Sequence, residues 1–117
     1  MRISRDRPAE PLHWIVASHG GDLELVDIRE VRFFQSDDKY TRVATMDRDL
    51  LIRKSIKELA ATLDPELFWQ VHRSTIVNVA MVANVCHGAD GKLVLHLRDR
   101  PEQLHVSHAF ARRFHRM

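Results

Sequence analysis

The chain has one cysteine, four glycines and one tyrosine in 117 residues, and no apolar run approaching the ~18 residues that a membrane helix needs. A lone Cys86 cannot build an intramolecular disulfide framework or a zinc site of paired cysteines, and it fits a reducing compartment. The opening Met1-Arg2-Ile3-Ser4-Arg5 leads into no signal-peptide core, so the expected location is the cytoplasm. A Gly-rich phosphate loop, a dinucleotide fingerprint and a nucleophile elbow are all missing, so neither an enzyme nor a cofactor is expected. His105 and His108 straddle a strand-to-helix junction and Cys86-His87 has no second pair, so no metal site is expected either. With 44% hydrophobic and 29% charged residues, what remains is the composition of one ordinary globular domain.

The net charge of +2 conceals an asymmetry. Residues 1–66 hold 11 Lys/Arg against 13 Asp/Glu, whereas residues 67–117 hold 7 against 3 and six of the eight histidines. Fourteen of the 18 basic residues are Arg, whose planar fork suits phosphate and base edges. A basic half fits an anionic partner, and it equally fits a solvated surface rich in Arg.

Residues 1–11 are charged, contain two prolines and show no apolar period, which predicts a linker or disordered arm ahead of a domain over 12–117. All four glycines fall at Gly20-Gly21 and around Gly88 to Gly91, each between alternating apolar and polar runs, the mark of a β-hairpin. Further strands are expected at Val31 to Gln35, Tyr40 to Met46, Leu50 to Arg53, Phe68 to His72, Met81 to Cys86, Lys92 to Arg98 and Gln103 to Val106. Within the strand at Met81 to Cys86, Cys86 reads as a small buried hydrophobe. Ser55-Ile56-Lys57-Glu58 is a capping box opening a short helix that Asp64-Pro65 stops. Ser107 can cap a last helix, with Phe110, Phe114 and Met117 as its buried stripe and His108, Arg112 and His115 opposite. The expected fold is mainly β: an elongated antiparallel sandwich of about 8–10 strands, one short mid-chain helix and a short C-terminal helix.

A core alone does not explain two segments. Phe33-Phe34-Gln35-Ser36-Asp37-Asp38-Lys39-Tyr40-Thr41-Arg42 pins a polar, basic loop with aromatics. Phe68 to Asn78 does the same around His72-Arg73-Ser74. Loops so anchored and tipped with donors suit contact with phosphates and base edges. His72 has no nearby carboxylate to orient it for acid–base chemistry, so a hydrogen-bonded structural histidine is the expected role. On the residues alone, a protein-interaction or ligand-sensing β domain with a basic face stays open beside a DNA-binding one.

Phe33-Phe34-Gln35-Ser36 with Lys39-Tyr40, then Ser55-Ile56-Lys57-Glu58-Leu59, then Phe68-Trp69-Gln70-Val71-His72-Arg73-Ser74 with Val77-Asn78, resemble the LytTR DNA-binding domain, the output module of LytR/AlgR-type bacterial response regulators. The motifs run in family order from about His13 to Phe114. The resemblance implies sequence-specific binding of double-stranded DNA as a transcription regulator, through loops entering successive major grooves at imperfect direct repeats. Carried over by position, it implies three contact regions: Lys39, Tyr40, Thr41 and Arg42; His72, Arg73 and Ser74 with Asn78; and Ser107 and His108 with Arg112. It also implies a receiver domain or partner regulator in the parent system, and it is compatible with a dimer on DNA.

Overall fold

A computed structural model describes residues 10–115. The arm expected over 1–11 lies outside them except for its last two residues, and so does Met117 of the expected C-terminal stripe. Among the described residues, ten strands form two antiparallel sheets. The first seven are β1 (Trp14–His19), β2 (Asp22–Asp27), β3 (Phe33–Asp37), β4 (Tyr40–Ala44), β5 (Asp49–Ile52), β6 (Phe68–His72) and β7 (Thr75–Asn78). They make one sheet in the order β2-β1-β5-β4-β3-β7-β6. The strands β8 (Val82–His87), β9 (Leu93–Leu97) and β10 (Gln103–His105) make a second sheet, with β9 in the middle. The helix α1 (Ile56–Thr62) crosses between β5 and β6.

Local chemistry fixes these elements. Gly20 and Gly21, at φ +58° and +93°, form the two-residue turn that joins β1 to β2 with a twist matching the strands. Around α1 the capping box closes in both directions: Ser55 Oγ accepts from the Glu58 amide, and the Glu58 carboxylate accepts from the Ser55 amide, each at 3.1 Å. That bond to the Ser55 backbone holds the Glu58 carboxyl below the usual carboxylate range.

Side chains alternate across a strand, so the large sheet carries two cores. Phe34, Val43, Ile76, Ile15, Ala17, Val26 and Leu50 pack on one face beneath Ile56, Leu59 and Leu63. Phe33, Ala44, Val71 and Val77 face the other way and are covered by Leu95, Leu97, Leu104 and Val106 from the small sheet. This cover reaches only across the β3–β7–β6 half. On the β2–β1–β5 half of the same face, Trp14, Val16, Leu23, Leu25 and Leu51 are exposed.

Charged pairs fasten the small sheet along the boundary of the covered half. Arg32 binds Asp99 through Nε and Nη2, with the shortest contact 2.6 Å, and its side chain is only 13% exposed. The Asp99 carboxyl is held below its ordinary range by this guanidinium. A depressed carboxylate contributes stability that is full above about pH 4 and is lost as pH falls toward the lower folded value. Thermal melts on acidification should therefore show a steeper fall below about pH 4 in the native protein than in Asp99→Asn, and parallel curves would count against the bond.

Three expectations need correction. Cys86 is exposed on β8, with Sγ 3.1 Å from His96 Nε2. It is not a buried hydrophobe, because β8 is an edge strand whose side chains beyond Val82 are exposed. The C-terminal helix, His108–Phe114, is a 3₁₀ helix, and Ser107 stands at its N-cap position with no side-chain cap bond. Phe110, Ala111 and Phe114 pack on the second core, with the Phe114 ring edge-on to Trp69 at 5.4 Å. At three residues per turn, Arg112 and His115 are in line and His108 is offset by a third of a turn, so the three do not share one stripe.

Candidate nucleic-acid interface

The β3–β4 hairpin turns through Asp38-Lys39, with Asp38 at φ +56°, a left-handed conformation that Asp tolerates better than most residues. Two bonds tie this turn to its neighbours. The Thr41 hydroxyl donates to the Lys54 carbonyl at 2.6 Å, and the Ser36 amide donates to the Ser74 carbonyl at 2.9 Å. The first draws in the connection from β5 to α1, and the second draws in the β6–β7 turn. Three loops distant in sequence therefore meet at one end of the large sheet.

They enclose a cleft of about 270 Å³ whose lining includes Lys39, Arg53, Lys57 and Arg73. All four side chains are exposed, and among the described residues none of them has an ion-pair partner. Asp38 is the one carboxylate in the lining. Elsewhere arginines are engaged: Arg29 with Asp27, Arg48 with Glu24, Arg32 with Asp99, and Arg100 with Asp49 and Glu102. Unneutralised cations converging from three loops make a local field that attracts a polyanion.

The residues picked from sequence divide by what their side chains do. Lys39, Tyr40 and Arg73 are exposed and line the cleft. Thr41 lines it too, but its side chain is buried and its hydroxyl is committed to Lys54. Arg42 is half-buried over the Phe33 ring, 5.0 Å from its centroid, and faces Glu102 at 3.3 Å and Asp49 at 3.7 Å. Asn78 is 1% exposed: its amide donates to the Val31 carbonyl at 2.9 Å and its carbonyl accepts from the Ala80 amide. Thr41, Arg42 and Asn78 thus position loops and leave little to offer a partner.

His72 Nδ1 accepts from the Ser74 amide at 3.2 Å and lies 2.9 Å from the Ser74 hydroxyl, which continues to Thr75 Oγ1 at 3.2 Å. An acceptor at Nδ1 leaves Nε2 to carry the proton in the neutral ring, which makes His72 a hydrogen-bond donor. The third region begins against the second, where the Ser107 amide donates to the Val71 carbonyl at 2.9 Å. His108 and Arg112 are exposed beyond it, and His108 lines a separate cleft with His87, Lys92 and His115. Among the described residues no three His, Cys, Asp or Glu gather closely enough to hold a metal ion.

Sequence reasoning missed Arg53 and Lys57. Their signal was the run Arg53-Lys54-Ser55-Ile56-Lys57, whose Ser was noticed as a cap while its cations were not. Replacing Asp38 by Gly should relieve the left-handed residue and remove the carboxylate of the cleft. The expected outcome is a gain of about 0.5–1 kcal/mol in stability by thermal melting together with tighter binding to duplex DNA. Loss of either would show that Asp38 has a positive role in the turn or at the interface.

Among known proteins, the family described as the LytTr DNA-binding domain matches residues 21–117. An uncharacterized response regulatory protein of Vibrio cholerae is 38% identical over 105 residues, which are 86% of this chain and 40% of that protein. The CO-responsive transcriptional regulator RcoM of Rhodospirillum rubrum is 37% identical over 78 residues, 65% of this chain and 33% of the regulator. The chain thus spans 40% or less of the length of these relatives. Among solved structures, the LytTr DNA-binding domain of a methyl-accepting/DNA response regulator from Bacillus cereus has the same fold. Its TM-score is 0.80 over 88% of this chain and 94% of that one, at 23% identity.

Proposed function

The chain belongs to the LytTr DNA-binding domain family, and from that premise we propose that it binds double-stranded DNA sequence-specifically as a bacterial transcription regulator in the cytoplasm. Residues 12–117 form the DNA-binding unit. The loops around Lys39 and Arg73 enter a major groove, with Arg53 and Lys57 added to the contacts drawn from sequence. Ser107, His108 and Arg112 reach a neighbouring stretch of the same duplex. The operator contains imperfect direct repeats, and a receiver domain or partner regulator supplies the signal in the parent system.

The observation that carries this reading is the convergence of four unpaired cations from three loops on one cleft, while Arg32 and Arg100 at the other end of these strands are neutralised. Within it, Lys39 and Lys57 suit phosphates as flexible point charges. Arg73, on a tight turn braced by the His72–Ser74 bonds, can span guanine O6 and N7. His72 Nε2–H and the Ser107 hydroxyl supply neutral donors beside them.

Fluorescence anisotropy with a labelled duplex, titrated at several salt concentrations, tests the reading. A DNA binder loses affinity along a log–log slope of about −0.9 per phosphate neutralised. A slope between roughly −3.5 and −4.5 is expected, about −0.9 for each of the four cleft cations and Arg112. A slope near zero with weak binding at low salt would dismiss DNA as the partner.

A further inference from the structure

His72 pairs with Thr75, so β6 and β7 are joined by only two residues, Arg73 and Ser74. A two-residue turn follows the twist of its strands when its residues adopt positive φ, as Gly20 and Gly21 do between β1 and β2 and Asp38 does between β3 and β4. Among the described residues the only other positive φ is at Gly91, so neither Arg73 nor Ser74 supplies it. The register shift between Gln70 and His72 adds local twist on the strand side. The remaining brace is a side chain: His72 Nδ1 accepts from the Ser74 amide at 3.2 Å, bridging over Arg73. This is the bond of an Asx turn, with an imidazole nitrogen in place of the carbonyl oxygen. Resting on the DNA-binding reading, we propose that His72 is the positioning residue that holds Arg73 for base reading. It does so as the neutral imidazole, so acid removes sequence discrimination while DNA affinity persists.

An imidazole side chain takes up a proton within the range of about pH 5 to 8, and both of its nitrogens then carry hydrogen. The Ser74 hydroxyl, 2.9 Å from Nδ1, can rotate to accept the new hydrogen, and Thr75 Oγ1 at 3.2 Å from that hydroxyl can follow it. The Ser74 amide cannot reverse its role. It is left facing an N–H, and the brace over Arg73 is lost. Nε2 behaves differently, since it carries hydrogen in both forms; a direct contact from Nε2 to a base would not register the change. Among the described residues no ion pair engages the ring. The charges around it are Arg73 on its own turn, Asp37, Asp38 and Lys39 on the hairpin tied in by the Ser36–Ser74 bond, and His108 and Arg112 past the Ser107–Val71 bond. Charge on the exposed histidines, His87, His108 and His115, acts on any duplex alike. It therefore moves affinity and not the ratio between sequences.

Selection from a randomised duplex library by the native protein at about pH 7.5 supplies a preferred duplex, and a scrambled duplex of the same composition is its control. Anisotropy titrations of both, at one salt concentration and at about pH 7.5 and 5.5, give the ratio of their affinities. In the native protein the ratio should fall about tenfold in acid, within what one bidentate base contact supplies, while binding to the scrambled duplex holds or strengthens. His72→Asn puts a carbonyl oxygen in place of Nδ1 and does not titrate. It should keep most of the ratio at the higher pH and lose the dependence on pH. His72→Ala should show the low ratio at both. The Ser74 amide proton resonance of the free protein reads the turn without DNA. It should move upfield in acid in the native protein and stay in place in His72→Asn. A ratio constant with pH overturns this inference alone, as does an equal fall in His72→Asn or an unresponsive Ser74 amide. Absence of binding to either duplex at low salt overturns the DNA-binding reading and this inference with it.

Discussion

Replacing Lys39, Arg53, Lys57 and Arg73 together by alanine is expected to flatten the salt dependence of DNA binding by about 3 to 4 log units per decade of salt. Each lost phosphate contact also removes roughly 0.9 log units of affinity at 0.1 M salt, so the combined loss should be on the order of a thousandfold. The fold should survive, because all four side chains are exposed and unpaired among the described residues. Arg42→Ala is the informative contrast. That guanidinium lies over Phe33 against Glu102 and Asp49, so its loss should lower the melting temperature and leave the salt slope unchanged. Arg73→Lys separates reading from anchoring, since it keeps the charge and removes the fork. A cost of about 1–3 kcal/mol on the preferred site, with little on random duplex, is expected for base reading. Equal loss on both duplexes would reduce Arg73 to a phosphate anchor. An unchanged slope in the quadruple variant would remove the cleft from the interface altogether.

Much of the fold was legible because most strands face two different environments. Leu50 and Ile52 alternate with exposed Asp49 and Leu51, and the paired glycines place their turn where φ becomes positive. β7 was not legible as a strand for the opposite reason. Thr75 to Asn78 lie in the interior of the large sheet and are all buried, so no alternation appears in the sequence. β8 misled in the other direction, since an apolar composition around Cys86 coexists with exposure at an edge. At the site, loop positions could be read but side-chain commitments could not. Arg42 looked free because its partner Glu102 is 60 residues away, and Asn78 looked like a surface donor because Val31, its acceptor, is 47 residues away. Arg53 and Lys57 became visible only when the Thr41–Lys54 bond brought their segment to the hairpin tip.

Arg100, between β9 and β10, ties the small sheet to the large one, and its replacement by alanine should cost about 2–4 kcal/mol. Its side chain is 11% exposed and fully subscribed. Nε and Nη2 reach the two Glu102 oxygens at 2.9 and 2.7 Å, Nη2 also reaches Asp49 at 2.9 Å, and Nη1 reaches the Thr45 carbonyl at 2.6 Å. The guanidinium carbon lies 5.6 Å from the Phe33 ring centroid, beside Arg42 over the same ring. The pair with Glu102 raises the affinity of Arg100 for its proton and holds the Glu102 carboxyl below the usual range. Alanine would leave two carboxylates and a carbonyl without their shared donor, and would uncover Phe33 where the small sheet meets the large one. A domain of this size loses about 4–8 °C per kcal/mol, so melting should fall by roughly 10–25 °C. Lysine should rescue little, because one ammonium cannot reach Glu102, Asp49 and Thr45 together. Acid should narrow the gap between native and Arg100→Ala. Once pH falls through the depressed folded value of Glu102, the native protein loses the pair as well. A calorimetric difference under 1 kcal/mol at neutral pH, or a gap that widens in acid, would show that the two sheets hold together through their apolar layer alone.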